Sequence, residues 1–180
     1  IRASVQKPEM DKVKAPMFEV RAKELEAKAA MLEAKGRWLA VKNGEAPVPE
    51  GREAAKMKLK EREAEYIECN VLFKISVMER LESKAVTADP LEKKEIEAEV
   101  RSLEIEGNKA EARGKRLEKD VKDYEVRNKT DALRVVKSTL MSIYRAGKRG
   151  DPEFKRLETT RIGLLNEIKE LKAESSTLLA

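Results

Sequence analysis

Apolar residues recur along much of this chain at intervals that average 3.5 residues. Near the N-terminus, large apolar residues fall seven apart and small residues precede each of them by three positions; the two sets are Phe18, Leu25, Leu32, Leu39 and Ala15, Ala22, Ala29, Gly36. A strict 3-4 spacing also runs from Phe154 to Leu178. A repeat of this period keeps one face of a helix against a supercoiling neighbour. The pattern therefore predicts long helices packed side by side.

The composition agrees with long amphipathic helices. Charged residues make up 41% of the 180 residues and aromatic residues 4%, so we do not expect a broad globular core. A disordered chain can be as highly charged, but it lacks sustained apolar periodicity. Apolar runs are far shorter than the roughly 20 residues that a membrane-spanning helix needs. We therefore expect ordered helices and no transmembrane segment.

Turn signals divide the chain into four helices. We predict an extended N-terminal arm over 1–15, because Pro8 and Pro16 interrupt it, and then helices over about 16–42, 52–86, 90–146 and 152–178. Asn43-Gly44 suits a left-handed helix end. Asp-Pro pairs at 89–90 and 151–152 each supply a preferred N-cap followed by a first-turn proline. The breaks between the helices therefore have a local chemical cause.

The predicted lengths indicate how these helices fold back. The third helix is about as long as the second and fourth together, and short connections favour antiparallel neighbours. We predict an all-α fold with a single elongated helical domain over 16–180: an antiparallel helical bundle or coiled coil of four helices with one very long central helix. The first helix would lie against the second. The third would exchange its partner near Asn128, where the apolar phase slips.

The first helix has the clearest candidate packing seam. Its residues are Ala22, Leu25, Ala29, Leu32, Gly36 and Leu39. Acidic residues flank one side (Glu19, Glu26, Glu33) and basic residues the other (Arg21, Lys28, Lys35, Lys42), and such charges set partner and orientation. Small residues allow a neighbouring helix to approach closely. We therefore expect replacement of Ala22 or Ala29 by Leu to overpack the contact between the two helices. Gly107 and Gly114 suggest a similar close approach in the third helix, with a flexible point as the alternative.

Positive charge is concentrated in one region. Between Arg113 and Arg161 there are 15 Lys and Arg against 8 Asp and Glu, whereas the remainder has 24 against 26. The candidate partner-binding residues cluster around the last break: Arg145, Lys148, Arg149, Lys155 and Arg156. Such a cluster suits RNA phosphates or an acidic protein surface. A plainly solvated helix face is the alternative interpretation.

Residues that carry catalytic or metal chemistry are scarce. The sequence has no His, one cysteine (Cys69) and no calcium-binding loop, and its carboxylate pairs have the spacing of exposed helix faces. We therefore predict no catalytic, metal or cofactor site and a protein that is not an enzyme. Cys69 lies among apolar residues and is expected to be a buried, inert thiol. A single cysteine also fits a reducing compartment.

These observations favour a non-catalytic structural or linker subunit that scaffolds a larger macromolecular assembly through contacts with other protein subunits. The alternative is a nucleic-acid-associated accessory protein, for example ribosomal, that uses the basic region 113–161. The opening Ile-Arg-Ala-Ser is similar to the loose cleavage pattern that ends chloroplast transit peptides. It favours an organelle interior, with the plastid stroma first and the mitochondrial matrix, the cytoplasm or a virion as alternatives.

Overall fold

Four α-helices make up the fold in a computed structural model that describes residues 2–47 and 51–179, with side chains from Met17 onward. The helices are α1 (Arg2–Lys42), α2 (Arg52–Ala85), α3 (Pro90–Arg145) and α4 (Pro152–Thr177). No β-strand occurs in this part of the chain. The predicted all-α helical bundle is confirmed, and α2, α3 and α4 each begin and end within one residue of the predicted bounds.

Helix α1 begins much earlier than predicted. Its backbone is helical from Arg2, so the prediction of an extended arm over 1–15 is wrong. A proline in a helix interior removes one backbone donor and costs about 3 kcal/mol. That cost is local, and Lys, Glu, Met and Ala, which surround Pro8 and Pro16, all have high helix propensity. Pro8 and Pro16 therefore lie within α1 and do not delay its start.

The breaks between helices form as the turn signals predict. Gly44, the second residue after α1, has a φ of 73°, a conformation that glycine adopts without a steric penalty. The Asp89 carboxylate accepts hydrogen bonds from the backbone N–H groups two and three residues later, at 3.1 and 2.9 Å. Asp151 accepts the corresponding bond from Glu153 at 3.1 Å. The two aspartates thus satisfy N–H groups that the first turn of a helix leaves unpaired.

The chain forms two compact units, Ile1–Leu117 and Glu118–Ala180. The first contains α1, α2 and the beginning of α3, and the second contains the remainder of α3 together with α4. Each unit has its own buried apolar residues: Ala55, Ile67 and Ile96 in the first, and Leu133, Leu140 and Ile168 in the second. The prediction that 16–180 is a single elongated domain stays a prediction.

In the first unit, α1 packs antiparallel to α2. The buried or half-buried face of α1 repeats with 3-4 spacing, and we call it the inner row: Met17, Val20, Glu24, Ala27, Met31, Ala34, Trp38 and Val41. Near one end of the contact, Arg21 lies 4.8 Å from the ring centroid of Phe73. Towards the other end, Arg52 lies 5.7 Å from the Trp38 ring. Along this contact the residue numbers rise on α1 and fall on α2, so the two helices run antiparallel.

Helix α2 also packs antiparallel to the beginning of α3. Arg113 forms an ion pair with Glu63, and Lys74 lies 3.4 Å from Glu106. Ile67, only 8% exposed, packs against Gly114: a Cβ at Gly114 would lie 3.0 Å from the Ile67 Cγ2 methyl. The predicted close approach is therefore confirmed at this glycine. At Gly107 a Cβ would meet no atom within 4 Å, so the same explanation is wrong there.

In the second unit, α4 packs antiparallel to the remainder of α3. Lys122 lies 2.6 Å from Glu174, and Lys129 forms an ion pair with Glu167. The α2 contacts named above reach Gly114 on α3, and the α4 contacts begin at Lys119. The helix that packs on α3 thus changes from α2 to α4 between Gly114 and Lys119, and not near Asn128 as predicted. The length of α4 sets this position, because its last turns reach back to Lys119.

Candidate interaction surfaces

The packing seam predicted on the first helix is exposed. Phe18, Leu25, Leu32 and Leu39 are 64%, 48%, 51% and 43% exposed. The small residues between them, Ala22, Ala29 and Gly36, are exposed as well. The prediction that this row faces α2 is therefore wrong. We call the exposed set the outer row: Phe18, Ala22, Leu25, Ala29, Leu32, Gly36 and Leu39.

Helix α1 has two rows with the same heptad period. At 100° per residue, the outer row and the inner row are centred roughly 150° apart around the helix axis. Met31, Trp38 and Val41 give the inner row enough large side chains to pack on α2. Sequence reasoning missed this row because a charged residue, Glu24, interrupts it. The signal that could have revealed it is the 3-4 spacing of apolar residues on either side of Glu24, from Met17 to Val41.

Glu24 is a buried carboxylate within the inner row. Its side chain is 3% exposed, and both of its oxygens accept hydrogen bonds. Arg21 Nη1 donates to Oε2 at 2.5 Å, and Asn70 Nδ2 on α2 donates to Oε1 at 2.8 Å. A buried charge is tolerated when it is paired and hydrogen-bonded. These contacts satisfy the carboxylate and join α1 to α2.

Charges of opposite sign flank the outer row, as predicted. The acidic flank is Glu19, Glu26 and Glu33, and the basic flank is Arg21, Lys28, Lys35 and Lys42; all seven residues are exposed. Arg21 has a second role, because it holds Glu24 and lies over the Phe73 ring. The outer row is therefore an apolar strip between an acidic edge and a basic edge. Such a surface suits a second helix.

The five predicted basic residues lie together at the turn between α3 and α4. We call them the basic tip: Arg145, Lys148, Arg149, Lys155 and Arg156, all of which are exposed. The Arg149 guanidinium lies 4.6 Å from the ring centroid of Tyr144. Arg156 lies 3.8 Å from Glu153 in the same turn of α4. The tip is thus mainly cationic, with one aromatic ring at its edge.

An open groove lies beside the basic tip. It has a volume of about 470 Å³ and is lined by Leu140, Met141, Tyr144, Phe154, Lys137, Arg149, Glu158 and Arg161. Its apolar floor and cationic margin suit an apolar group with an acidic neighbour. Sequence reasoning missed the groove because Phe154 belongs to the 3-4 spacing of the fourth helix and was therefore expected to pack against another helix. In the structure Tyr144 is 50% exposed, so its ring remains available to a ligand.

Cys69 is half-buried on α2. Burial raises the pKa of the Cys69 thiol, and the nearby negative charge of Glu68 acts in the same direction. A higher pKa leaves less of the nucleophilic thiolate at neutral pH. The environment of Cys69 therefore favours an unreactive thiol.

In the described part of the chain, no three side chains of His, Cys, Asp or Glu come together as metal ligands would. Within the same residues, none of the helices combines the length and the apolar character that crossing a bilayer requires.

No family model, no curated protein and no solved structure matches the chain.

Proposed function

We propose that this protein is a non-catalytic structural or linker subunit that scaffolds a larger macromolecular assembly. The supporting observation is the outer row, in which four large apolar side chains are between 43% and 64% exposed along one helix face. Contiguous exposed apolar surface is unusual in monomeric proteins and commonly marks a site of protein–protein contact. The heptad spacing of the row fits a helix of another polypeptide as the partner.

The opposite face of α1 strengthens the proposal. The inner row already packs on α2, and Glu24 is hydrogen-bonded to Asn70 within that contact. A partner helix on the outer row would bury the exposed leucines without displacing α2. Helix α1 then acts as a shared element between the first unit and the partner, which is the role of a linker in an assembly.

Purification of the assembled protein from its native source tests the proposal. Leu25→Glu and Leu32→Glu together place two charges in the outer row and should remove subunits that co-purify in stoichiometric amounts. Ile105→Glu is the matched control, because Ile105 is 55% exposed on α3 and lies outside the outer row. The control should retain the same subunits as the parent. An unchanged set of subunits with the outer-row variant would contradict the proposal, provided that circular dichroism shows parental helix content.

The basic tip supports a second candidate, a nucleic-acid-associated accessory protein. Five exposed cations lie around the turn between α3 and α4, and the exposed ring of Tyr144 could stack on a base. The test is RNA binding measured at several salt concentrations, because neutralised phosphates make affinity fall steeply with salt. Replacement of Arg145, Lys148, Arg149, Lys155 and Arg156 by Glu should abolish salt-dependent binding. Equal affinity of parent and variant would rule this candidate out.

A further inference from the structure

We infer that the outer row of α1 pairs with the outer row of a second copy of this chain, as a parallel and in-register two-stranded coiled coil. The inference deepens the proposed scaffold function and rests on it, since both use the same surface. It adds the identity of one partner, a second copy, and the direction in which the two helices run.

The geometry of α1 leaves the outer row accessible to a second helix. The inner and outer rows are centred on nearly opposite sides of the helix, roughly 150° apart. The large residues of the outer row are close to half-exposed or more, and a Cβ at Gly36 would meet no atom within 4 Å. A second α1 can therefore approach the outer row while α2 remains in place.

The flanking charges select self-pairing in the parallel direction. In a parallel two-stranded coil, a residue at heptad position g faces the residue five positions later, at position e, on the other helix. Lys28 would face Glu33 of the other copy, and Arg21, whose guanidinium also holds Glu24, occupies the position opposite Glu26. Two-fold symmetry forms each of these pairs twice, and every pair joins opposite charges. The acidic edge and the basic edge of the outer row are therefore complementary to each other.

The antiparallel direction brings like charges together. There, position e faces e and position g faces g, so glutamates such as Glu26 and Glu33 would oppose glutamates and Lys28 would oppose a lysine or arginine. Like charges across a helix pair are destabilising. The same reasoning argues against an arbitrary partner, because only a helix with this alternation of charge would fit both edges.

The apolar layers also fit a parallel, in-register pair. Leu25, Leu32 and Leu39 occupy position d, and Ala22, Ala29 and Gly36 occupy position a. Each leucine would meet its own counterpart, and the small residues would form the intervening layers. Because Ala22, Ala29 and Gly36 are small, their layers bury little surface, and the leucine layers supply most of the apolar contact. Exposed apolar surface on both copies is then removed from water.

A charge exchange tests the pairing and its direction together. Sedimentation equilibrium of the full chain should show a dimer, and Lys28→Glu alone or Glu33→Lys alone should each weaken it by about tenfold or more, since two symmetric pairs become repulsive. An equimolar mixture of the two variants should restore a heterodimer, because each substituted side chain then faces one of opposite charge on the other chain. In an antiparallel pair, Glu33→Lys would strengthen the dimer and overturn the inference. Lys28 and Glu33 are chosen because Arg21 also holds Glu24.

Disulfide trapping provides a second readout of direction. In a Cys69→Ala background, Ala22→Cys and Gly36→Cys should each form a disulfide with its own counterpart under mild oxidation. Lys23→Cys, adjacent to the row but outside it, is the matched control and should cross-link much less. In an antiparallel pair position a lies opposite position d, so neither cysteine would face its own counterpart. Loss of both cross-links in a chain that still dimerises would overturn the inference.

The outcomes separate self-pairing from the broader scaffold proposal. If the chain is monomeric at all concentrations but still loses its co-purifying subunits with Leu25→Glu and Leu32→Glu, self-pairing is overturned and the scaffold proposal stands. If the dimer forms and responds to the charge exchange, self-pairing is supported. A dimeric chain whose outer-row variant keeps every co-purifying subunit would instead contradict the scaffold proposal alone.

Discussion

The side-chain amide of Asn70 on α2 donates a 2.8 Å hydrogen bond to the carboxylate of Glu24 on α1, within the apolar contact between the two helices. Arg21 donates to the other carboxylate oxygen. Because α1 and α2 are antiparallel, a slip of one heptad would set Glu24 opposite Val77 or Glu63 in place of Asn70. Neither can donate to a carboxylate, so this polar pair fixes the register of the two helices.

Removal of one partner from this pair should destabilise the first unit. Asn70→Leu leaves a buried carboxylate oxygen without its donor, which costs about 1–3 kcal/mol of unfolding free energy. The double variant Glu24→Leu and Asn70→Leu removes both polar groups and should be close to neutral or more stable than the parent. Urea unfolding followed by circular dichroism measures both. A double variant less stable than Asn70→Leu alone would contradict the role assigned to the pair.

Gly107 and Gly114 should respond differently to the same substitution. Both lie buried on α3 one heptad apart, but only the Gly114 Cβ would meet a neighbour, the Ile67 methyl at 3.0 Å. Gly107→Ala should raise the unfolding free energy by about 1 kcal/mol, the difference in helix propensity. Gly114→Ala should give no gain or a loss, because overpacking costs about 1–3 kcal/mol. Thermal unfolding of the two variants compares them directly, and an equal gain at both sites would contradict the close contact.

The sequence predicts local features of this fold well. Asp-Pro pairs and Gly44 act through neighbouring backbone groups, so α2, α3 and α4 begin and end close to where their local chemistry indicates. The two prolines did not mark the start of a helix as predicted, because Pro8 and Pro16 lie within α1. A local penalty of this kind competes with the propensity of the whole helix.

The sequence alone did not predict which row of α1 packs on α2, or where α3 changes its neighbouring helix. The inner and outer rows of α1 have the same period, so periodicity alone cannot tell which one packs on α2. The difference lies in matching groups on α2, above all Asn70 opposite Glu24, and such a match appears only when two helices are placed side by side. The position where α3 changes partner depends similarly on the length of α4. The basic tip was predicted because its five residues are close in sequence.

Acid should weaken the contact between α3 and α4. Hydrogen bonds from Lys119 and then from Ser175 lower the pKa of the Asp123 carboxyl below its ordinary value. A lowered pKa in the folded state stabilises the protein fully above the ordinary carboxyl pKa, about 4, and that contribution is lost as the pH falls through the folded-state pKa. The melting temperature of the parent should therefore fall on acidification in this window.

Two variants isolate the contribution of Asp123. Asp123→Asn should show a shallower fall of melting temperature between about pH 5 and pH 2, because the titrating group is absent. Ser175→Ala should give an intermediate slope, since it removes one of the two bonds that lower the pKa of Asp123. The Asp123 side chain is 52% exposed, so solvent screening keeps the effect small. Identical slopes for parent and Asp123→Asn would contradict the assignment.

Four matched substitutions on α1 distinguish its two rows. Ala22→Leu and Ala29→Leu lie in the exposed outer row, and Ala27→Leu and Ala34→Leu lie in the half-buried inner row. The sequence alone predicted that the first pair would overpack a contact with the second helix. The structure reverses this expectation for folding, because a leucine in the outer row extends into solvent and has nearly the helix propensity of alanine.

In dilute solution, the outer-row variants should unfold within about 0.5 kcal/mol of the parent, as surface substitutions usually do. The inner-row variants must enlarge a contact with α2 and should cost about 1–3 kcal/mol each. Trp38 lies half-buried in the inner row beside Arg52, so its fluorescence reports separation of α1 from α2 during urea unfolding. Outer-row variants that unfold as early as inner-row variants would mean that α1 is rotated about its axis relative to the arrangement described here. Since the outer row would then face α2, its availability to a second chain would be lost as well.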